Sequence, residues 1–360
     1  MGKRVLRSNL LWLSATILCL SFPAPAQEGL EMDVETGEQE KSSSNYEECL
    51  ALTTNPNEDL GKVLKAGCKP SLAQMSALMD NPVGNVAMLF NQFDGYRLEN
   101  PDNNESETKY NYMLLAQFPK RLNENWNLIN RVLINYTSFP IEQDDIDDFG
   151  DIDFGNLPGT PLPPPSGALV PVDLFDGRTT ALGDAYYVGL FSPNEPLVLD
   201  NGAKLLLGAG FDLGFDTAAE DLTGTGKWTA GPSALAVYMG KKLKAGALVQ
   251  HYWDYAGDDD RNDVNLTNIQ ALYYWSINET TSIGAGPNII ANWDQDNDNT
   301  WTVPVGIGIN KTFQFGDVPV RFGIEYHHSV IQPDDVVSSE WDVRFYIIPA
   351  VPSALFDWMQ

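Results

Sequence analysis

The 360-residue sequence predicts an all-β fold: an antiparallel transmembrane β-barrel of about twelve strands, preceded by a short helical segment. Three observations carry this. From about Asn85 to Ile348 the chain repeats a stretch of roughly ten alternating residues followed by a break. The breaks themselves alternate, one long and acidic, the next shorter and close to neutral. Along the strands one face is aliphatic and aromatic, while the other is Gly, Asn, Ser and a few charges. A soluble sandwich would also alternate, but its exposed face would carry many Lys and Glu.

The chain starts with a basic cluster, Lys3, Arg4 and Arg7, followed by an apolar run from Leu10 to Phe22 that is too short to span a bilayer. Ala24-Pro25-Ala26 then fits a small-x-small cleavage site, so residues 1–26 are expected to be a secretory signal peptide. Leu18 before Cys19 is a poor fit to a lipidation signal. Residues 27–44 are acidic, Ser-rich and poor in apolar side chains, the composition of a disordered linker. Residues 45–80 form a small helical segment. Ser71 with Gln74 makes a capping box ahead of Leu72, Met75, Leu78 and Met79. Cys49 and Cys68 are the two cysteines beyond the cleavage site. In an exported chain they form a disulfide rather than two free thiols, worth about 3 kcal/mol in the chain-entropy model. The segment fits a periplasmic cap, a plug or a lead-in to the barrel.

The barrel is placed at 81–348, with strands near 85–96, 108–118, 126–137, 181–191, 203–215, 228–239, 243–255, 264–275, 281–293, 300–311, 318–331 and 340–348. An alternation such as Trp301, Val303, Val305, Ile307 and Ile309 against Thr302, Pro304, Gly306, Gly308 and Asn310 has the period of a strand with two different faces. It slips near Tyr186 and Asn268, and the break at 192–202 is long for a turn. An even strand number puts both termini on one side, the periplasmic one, with 349–360 as a periplasmic tail.

The net charge is −27, from 22 basic and 49 acidic residues, which excludes a nucleic-acid partner. The acid is segregated. The breaks 99–107, 140–177, 216–226, 256–263, 294–299 and 333–340 hold 26 acidic residues and one Arg, whereas the intervening breaks hold five acids and six bases. Long acidic breaks are therefore expected outside the cell and short ones inside. Trp228, Trp253, Trp293, Trp301 and Trp341 fall at the outer ends of strands, and Trp126 and Trp275 at the inner ends, as two interfacial girdles would. Parity places Arg131, Lys244, Asp254, Arg321, Glu325, Asp342 and Arg344 on the lumen face. There they either pair across the barrel, with Glu325 and Arg344 on neighbouring strands, or line a water-filled path.

Asp294, Asp296 and Asp298 put carboxylates at alternate positions of one loop. They lack the Gly and distal Glu of an EF-hand. The first reading is a solvated, self-repelling surface; the second is weak Ca²⁺ or Mg²⁺ ligation bridging to anionic lipid and lipopolysaccharide headgroups. No other cofactor is expected. An outward-facing hydrolase would need Ser beside His251 or His328, and none is placed convincingly there, so no catalytic residues are assigned. The prolines Pro158, Pro161 and Pro163 to Pro165 stiffen the 140–177 break.

Several segments, in order, resemble one family: Asn81-Pro82-Val83, Leu122 to Arg131 (LNENWNLINR), Leu182-Gly183-Asp184, Phe191-Ser192-Pro193, Lys227 to Pro232 (KWTAGP), Trp301 to Gly306 (WTVPVG) and Glu340 to Phe345 (EWDVRF). They are similar to a Gram-negative outer-membrane barrel family whose members are labelled "transporter" or, by mis-transfer, "neuromedin U". It is related to barrels of phenol meta-cleavage pathways. The resemblance spans about 80–350. It implies an outer-membrane location and passage of a small-molecule solute; as for any such barrel, outer-membrane lipid and the barrel-assembly machinery are the expected partners. It implies no substrate and no catalytic residues. The chain departs from the family in its disulfide-bearing lead-in and in a final strand that ends on Ile348-Pro349 rather than an aromatic, with Phe356 or Trp358 as the candidate substitute.

Overall fold

The computed structural model describes residues 46–55, 62–63, 66–80, 86–100, 104–142, 175–316 and 318–351. All but Tyr46 belong to one compact unit that begins at Glu47. The expected signal peptide, acidic linker, Pro-rich stretch and the tail beyond Val351 lie outside the described residues, as does Asn81-Pro82-Val83.

Twelve long strands form one closed antiparallel ring. They are β1 (Ala87–Glu99), β2 (Ser106–Arg121), β3 (Trp126–Phe139), β4 (Thr179–Pro193), β5 (Lys204–Phe215), β6 (Lys227–Met239), β7 (Leu243–Gly257), β8 (Asn265–Ser276), β9 (Thr281–Ala285 and Asn288–Asn292), β10 (Trp301–Phe315), β11 (Val318–Ile331) and β12 (Ser338–Val351). Each pairs with its sequence neighbours, and β1 pairs with β12 from Ala87↔Val351 to Glu99↔Ser338. Closure leaves no backbone edge, which a wall facing hydrocarbon requires. No helix among the described residues is long and apolar enough to cross a membrane.

Departures from the predicted strands have local causes. β9 is split at Gly286-Pro287, where proline has no N–H for the ladder, yet both halves keep β8 and β10 as neighbours. The slip near Tyr186 is a register shift between Ile134 and Tyr136 opposite Leu182 to Ala185. The long 192–202 break contains a two-residue hairpin arm, Leu197–Val198, paired to Leu205 and Lys204. β12 continues to Val351, three residues beyond the predicted strand end.

The outer wall is apolar. Val305, Ile307, Ile309, Ile324, Tyr326, Val343 and Phe345 are all exposed, while the residues alternating with them turn inward. Aromatic contacts gather near strand ends: Trp293 with Trp301, Phe215 with Trp228 and Tyr326 with Trp341 at the end carrying the acidic loops. Phe313 with Phe322, and Lys242 over Trp275, stand at the end carrying the short turns.

The interior differs from the small-residue, polar and sparsely charged lumen that the sequence predicts. Ile129, Val188, Leu190, Leu206, Leu235, Val237 and Leu248 pack into a cluster on the inner face of β3–β7. These strands carry apolar residues on both faces, so alternation alone conceals how much of the lumen they fill. A second cluster at the loop end joins Tyr96, Leu98 and Phe139 of the wall to Ile141, Leu222 and Val337 of the loops.

Because Ile307 is 63% exposed near the middle of β10, Ile307→Arg is expected to cost about 2–4 kcal/mol in reversible folding into lipid bilayers. Asp259→Asn, in an exposed loop, should stay within about 0.5 kcal/mol.

Candidate functional site

The site is the barrel interior together with the helix docked in its turn end. Residues 47–54 are helical (α1), and α2 spans Leu72–Met79. The capping box at Ser71 and Gln74 is formed on both sides. The Gln74 amide also donates to the carbonyls of Leu52 (2.8 Å) and Asn55 (2.9 Å), tying α2 to the end of α1. The Cys49–Cys68 disulfide adds a covalent tie, with Cα atoms 5.4 Å apart.

At its C-terminal end α2 enters the barrel. Met79 packs with Met88 of β1 and with Tyr346, Ile348 and Ala350 of β12. The Ser76 hydroxyl lies 3.1 Å from that of Thr312 on β10, and Arg321 on β11 donates to the Ser76 carbonyl at 3.0 Å. Asp80, just past the helix, receives Arg321 Nη1 at 2.7 Å and is ion-paired to Lys244 of β7. β1 and β7 are six strands apart in a ring of twelve, so these contacts reach across the lumen. Two of the predicted lumen charges, Lys244 and Arg321, are thus spent holding α2. Asp80 lies at the margin of the sequence pattern, and no strand periodicity points to it.

Higher in the lumen a second network is closed. Arg344 Nε donates to Asp94 Oδ1 (2.8 Å) and Arg344 Nη1 to the Gly286 carbonyl (2.7 Å). Glu325 accepts from Gly286 N (2.9 Å), Tyr274 (2.8 Å) and Tyr346 (3.1 Å). His327 stands between Glu325 (Nε2, 3.1 Å) and Asp342 (Nδ1, 2.7 Å). Glu325 and Arg344 are opposite in register, as parity predicts, but the Arg344 ion pair goes to Asp94. Asp94 and the backbone of the β9 break therefore complete a network of which the sequence showed only half. The break at Gly286-Pro287 frees one N–H and one C=O from the ladder, and these meet Glu325 and Arg344. With every member partnered, the network acts as a strut across β1, β8, β9, β11 and β12.

The other predicted residues fall elsewhere. Arg131 faces the lumen and donates to Gln270 at 3.5 Å. Asp254 accepts from Val264 N at 2.7 Å and lies 4.0 Å from Lys227, closing the 256–263 loop rather than lining a path. Asp294, Asp296 and Asp298 are exposed. Asp296 accepts from the Asn299 amide at 2.8 Å, and partial burial pushes the Asp294 carboxyl up, against a hydrogen bond from Asn265. Among the described residues no three Asp, Glu, His or Cys side chains converge as a metal cage. The seven girdle tryptophans lie on the outward face at the predicted strand ends. Asp184, in the β4 irregularity, accepts from the backbone of Thr217, Ala218 and Thr225 and anchors the 216–226 loop.

His251 faces outward with a hydroxyl beside it that the sequence analysis had not paired with it: Nδ1 lies 2.7 Å from Thr267 Oγ1. That hydroxyl also accepts from Trp293 Nε1 at 2.8 Å, and Trp253 stacks edge-on at 4.0 Å. The group is built into the aromatic belt.

The chain matches no protein-family model and no curated protein. Among solved structures it is similar to the COG4313 outer membrane channel from Pseudomonas putida F1, at 13% identity over 74% of this chain and 94% of that one, with a TM-score of 0.47. It is similar to outer membrane phospholipase A from Escherichia coli at 9% identity over 73% and 90%, TM-score 0.38. It is similar to the outer membrane channel DcaP of Acinetobacter baumannii at 10% identity over 74% and 96%, TM-score 0.29. At such identities and TM-scores a likeness carries no family and no activity over to this chain.

Asp80→Ala would leave Lys244 and Arg321 facing each other without their anion. It is expected to cost about 3–5 kcal/mol of α2 docking. In hydrogen exchange, amides of 72–79 should lose protection while those of the barrel strands keep theirs.

Proposed function

We propose that this chain is a bacterial outer-membrane channel for small solutes, of the transporter-labelled barrel family it resembles. Its acidic loops face the cell exterior, both termini are periplasmic, and α2 closes the periplasmic mouth. One observation carries the reading. Between the apolar clusters, buried side-chain atoms of Arg131, Asp212, Thr229, Ser233, Asn268 and Thr302 have no hydrogen-bond partner in the protein. All six residues face the lumen. A purely structural core pairs such groups, because leaving one unsatisfied costs about 1–3 kcal/mol. A path that opens locally to water and polar solutes would satisfy them.

Supporting the placement are the apolar outer wall and its aromatic belts. Asp258, Asp259, Asp260, Asp263, Asp296 and Asp298 are exposed at the loop end and form an acidic rim that attracts cations. The same rim suits weak Ca²⁺ or Mg²⁺ bridging to anionic lipid and lipopolysaccharide headgroups. His251 and Thr267 belong on this reading to the girdle and do no chemistry.

In planar bilayers the expected result is a K⁺-over-Cl⁻ preference at low salt that fades toward 1 M, as the screening length shrinks from about 10 Å to about 3 Å. Replacing Asp258, Asp259 and Asp260 with Asn should reduce the preference, and Asp80→Ala should raise the current. Anion preference at low salt would overturn the rim. Silence in both the native chain and Asp80→Ala would favour a sealed structural barrel, a reading supported by the apolar clusters at both ends of the lumen.

A further inference from the structure

Among the arginines that face the lumen, one has no acid. Arg321 is paired with Asp80 and Arg344 with Asp94. Arg131 forms no ion pair among the described residues. Its Nη2 reaches the Gln270 amide oxygen, 3.5 Å away, and its buried Nε has no hydrogen-bond partner. Asp212 shares its row two strands away, but Val188 stands between them in register.

Arg131 is the sixth of the 14 residues of β3, and Gln270 the sixth of the 12 of β8, so the two meet near the middle of the barrel. β3 and β8 are five strands apart in the ring, and the contact crosses the interior. Both residues point inward yet keep accessible surface, whereas Arg321 and Arg344 are buried. The next inward residue on each strand keeps some too. Leu133 lies on the loop side of the contact and Leu272 on the turn side, each partly buried against the apolar cluster of β3–β7. A guanidinium and an amide thus face each other at mid-lumen, with accessible aliphatic surface on both sides.

A guanidinium presents five N–H donors in a planar fork that matches a carboxylate. Arg131 uses one of them, at long range. A charge taken out of water without a counter-ion is costly, and a counter-ion carried in by a solute offsets that cost. One negative charge balances Arg131, while a phosphate monoester or a dicarboxylate would leave excess charge in the interior. Leu133 and Leu272 suit a short aliphatic body. We propose that Arg131 and Gln270 form a mid-lumen binding site for the carboxylate of a small aliphatic monocarboxylic acid. Arg131 is the ionic clamp, and the Gln270 amide Nε2 is the second donor. This rests on the channel reading, since the solute reaches Arg131 through the lumen. The acidic rim does not oppose it at this depth, because its field is screened within about 8 Å at physiological ionic strength.

The test is equilibrium binding of butyrate to the full chain folded in detergent micelles, followed by NMR titration against protein-free micelles, beside single-channel recordings. Butyrate should bind saturably. n-Butanol and butylammonium, which keep the aliphatic body without the carboxylate, should each bind at least about tenfold more weakly. Arg131→Gln should weaken butyrate by at least about tenfold, and Arg131→Lys by several-fold, because an ammonium keeps the charge but not the fork. Gln270→Glu sets an acid beside Arg131 that occupies it, and should also weaken butyrate by at least about tenfold. That variant carries the test should Arg131→Gln fail to fold, since it gives Arg131 a partner. Equal binding of butyrate and n-butanol, butyrate binding unchanged by Arg131→Gln or by Gln270→Glu, or no saturable binding to the native chain would overturn the site. Saturable, Arg131-dependent binding without conductance would keep the site and overturn the channel. Conductance without such binding would do the reverse.

Discussion

A closed wall whose outside is hydrocarbon has one place for charge, the inside, and the rest of this structure follows from that constraint. Ile307 and Ile324 can be exposed on the outer face because lipid, not water, is their solvent. Arg321, Glu325, Asp342 and Arg344 then share a narrow interior with few water contacts, where each must find a partner or carry a heavy desolvation cost. The fold answers with two compact networks, one around Asp80 and one around Glu325 and Arg344. Both recruit groups from outside regular strand pairing: a loop aspartate in the first case, the backbone of the Gly286-Pro287 break in the second.

The two networks divide the lumen by role. The upper strut ties β1, β8, β9, β11 and β12 and leaves none of its members unpartnered. The lower one holds α2 to the barrel through side-chain packing, the Ser76 carbonyl and one acid. On the opposite wall, β3–β7 are lined with Val, Leu and Ile near the turns, and with Asp212 further up. The interior is thus neither an open aqueous pore nor a uniform core. It is a packed barrel with unsatisfied polar stations.

Much of the wall was legible in the sequence. Period-two alternation and the girdle tryptophans located all twelve strands, and the parity of Arg131, Lys244, Arg321, Glu325, Asp342 and Arg344 put each on the inner face. A strand's faces are set by its own pleat, so local pattern suffices there. The partners were less legible. Asp94 sits in β1 and Arg344 in β12, and they meet because the ring closes. Asp80 meets Lys244 and Arg321 because a helix folds back into a mouth that exists once twelve strands have paired. Asp212 is not legible as a buried, unpartnered acid because its strand segment, GFDLG, has the composition of small-residue filler until the register sets it inside opposite Gly231.

The sequence by itself determined the barrel, its strand count, the inside–outside sense of each strand and the segregation of acid to one set of loops. These depend on periodicity and on residues near one another in the chain. Only the tertiary structure decided which inward charges are paired, that the end of α2 enters the lumen, and that the Asp212 carboxylate has no hydrogen-bond partner. Those outcomes depend on which strands face each other across a closed ring, and ring closure brings together residues as far apart as Asp94 and Arg344.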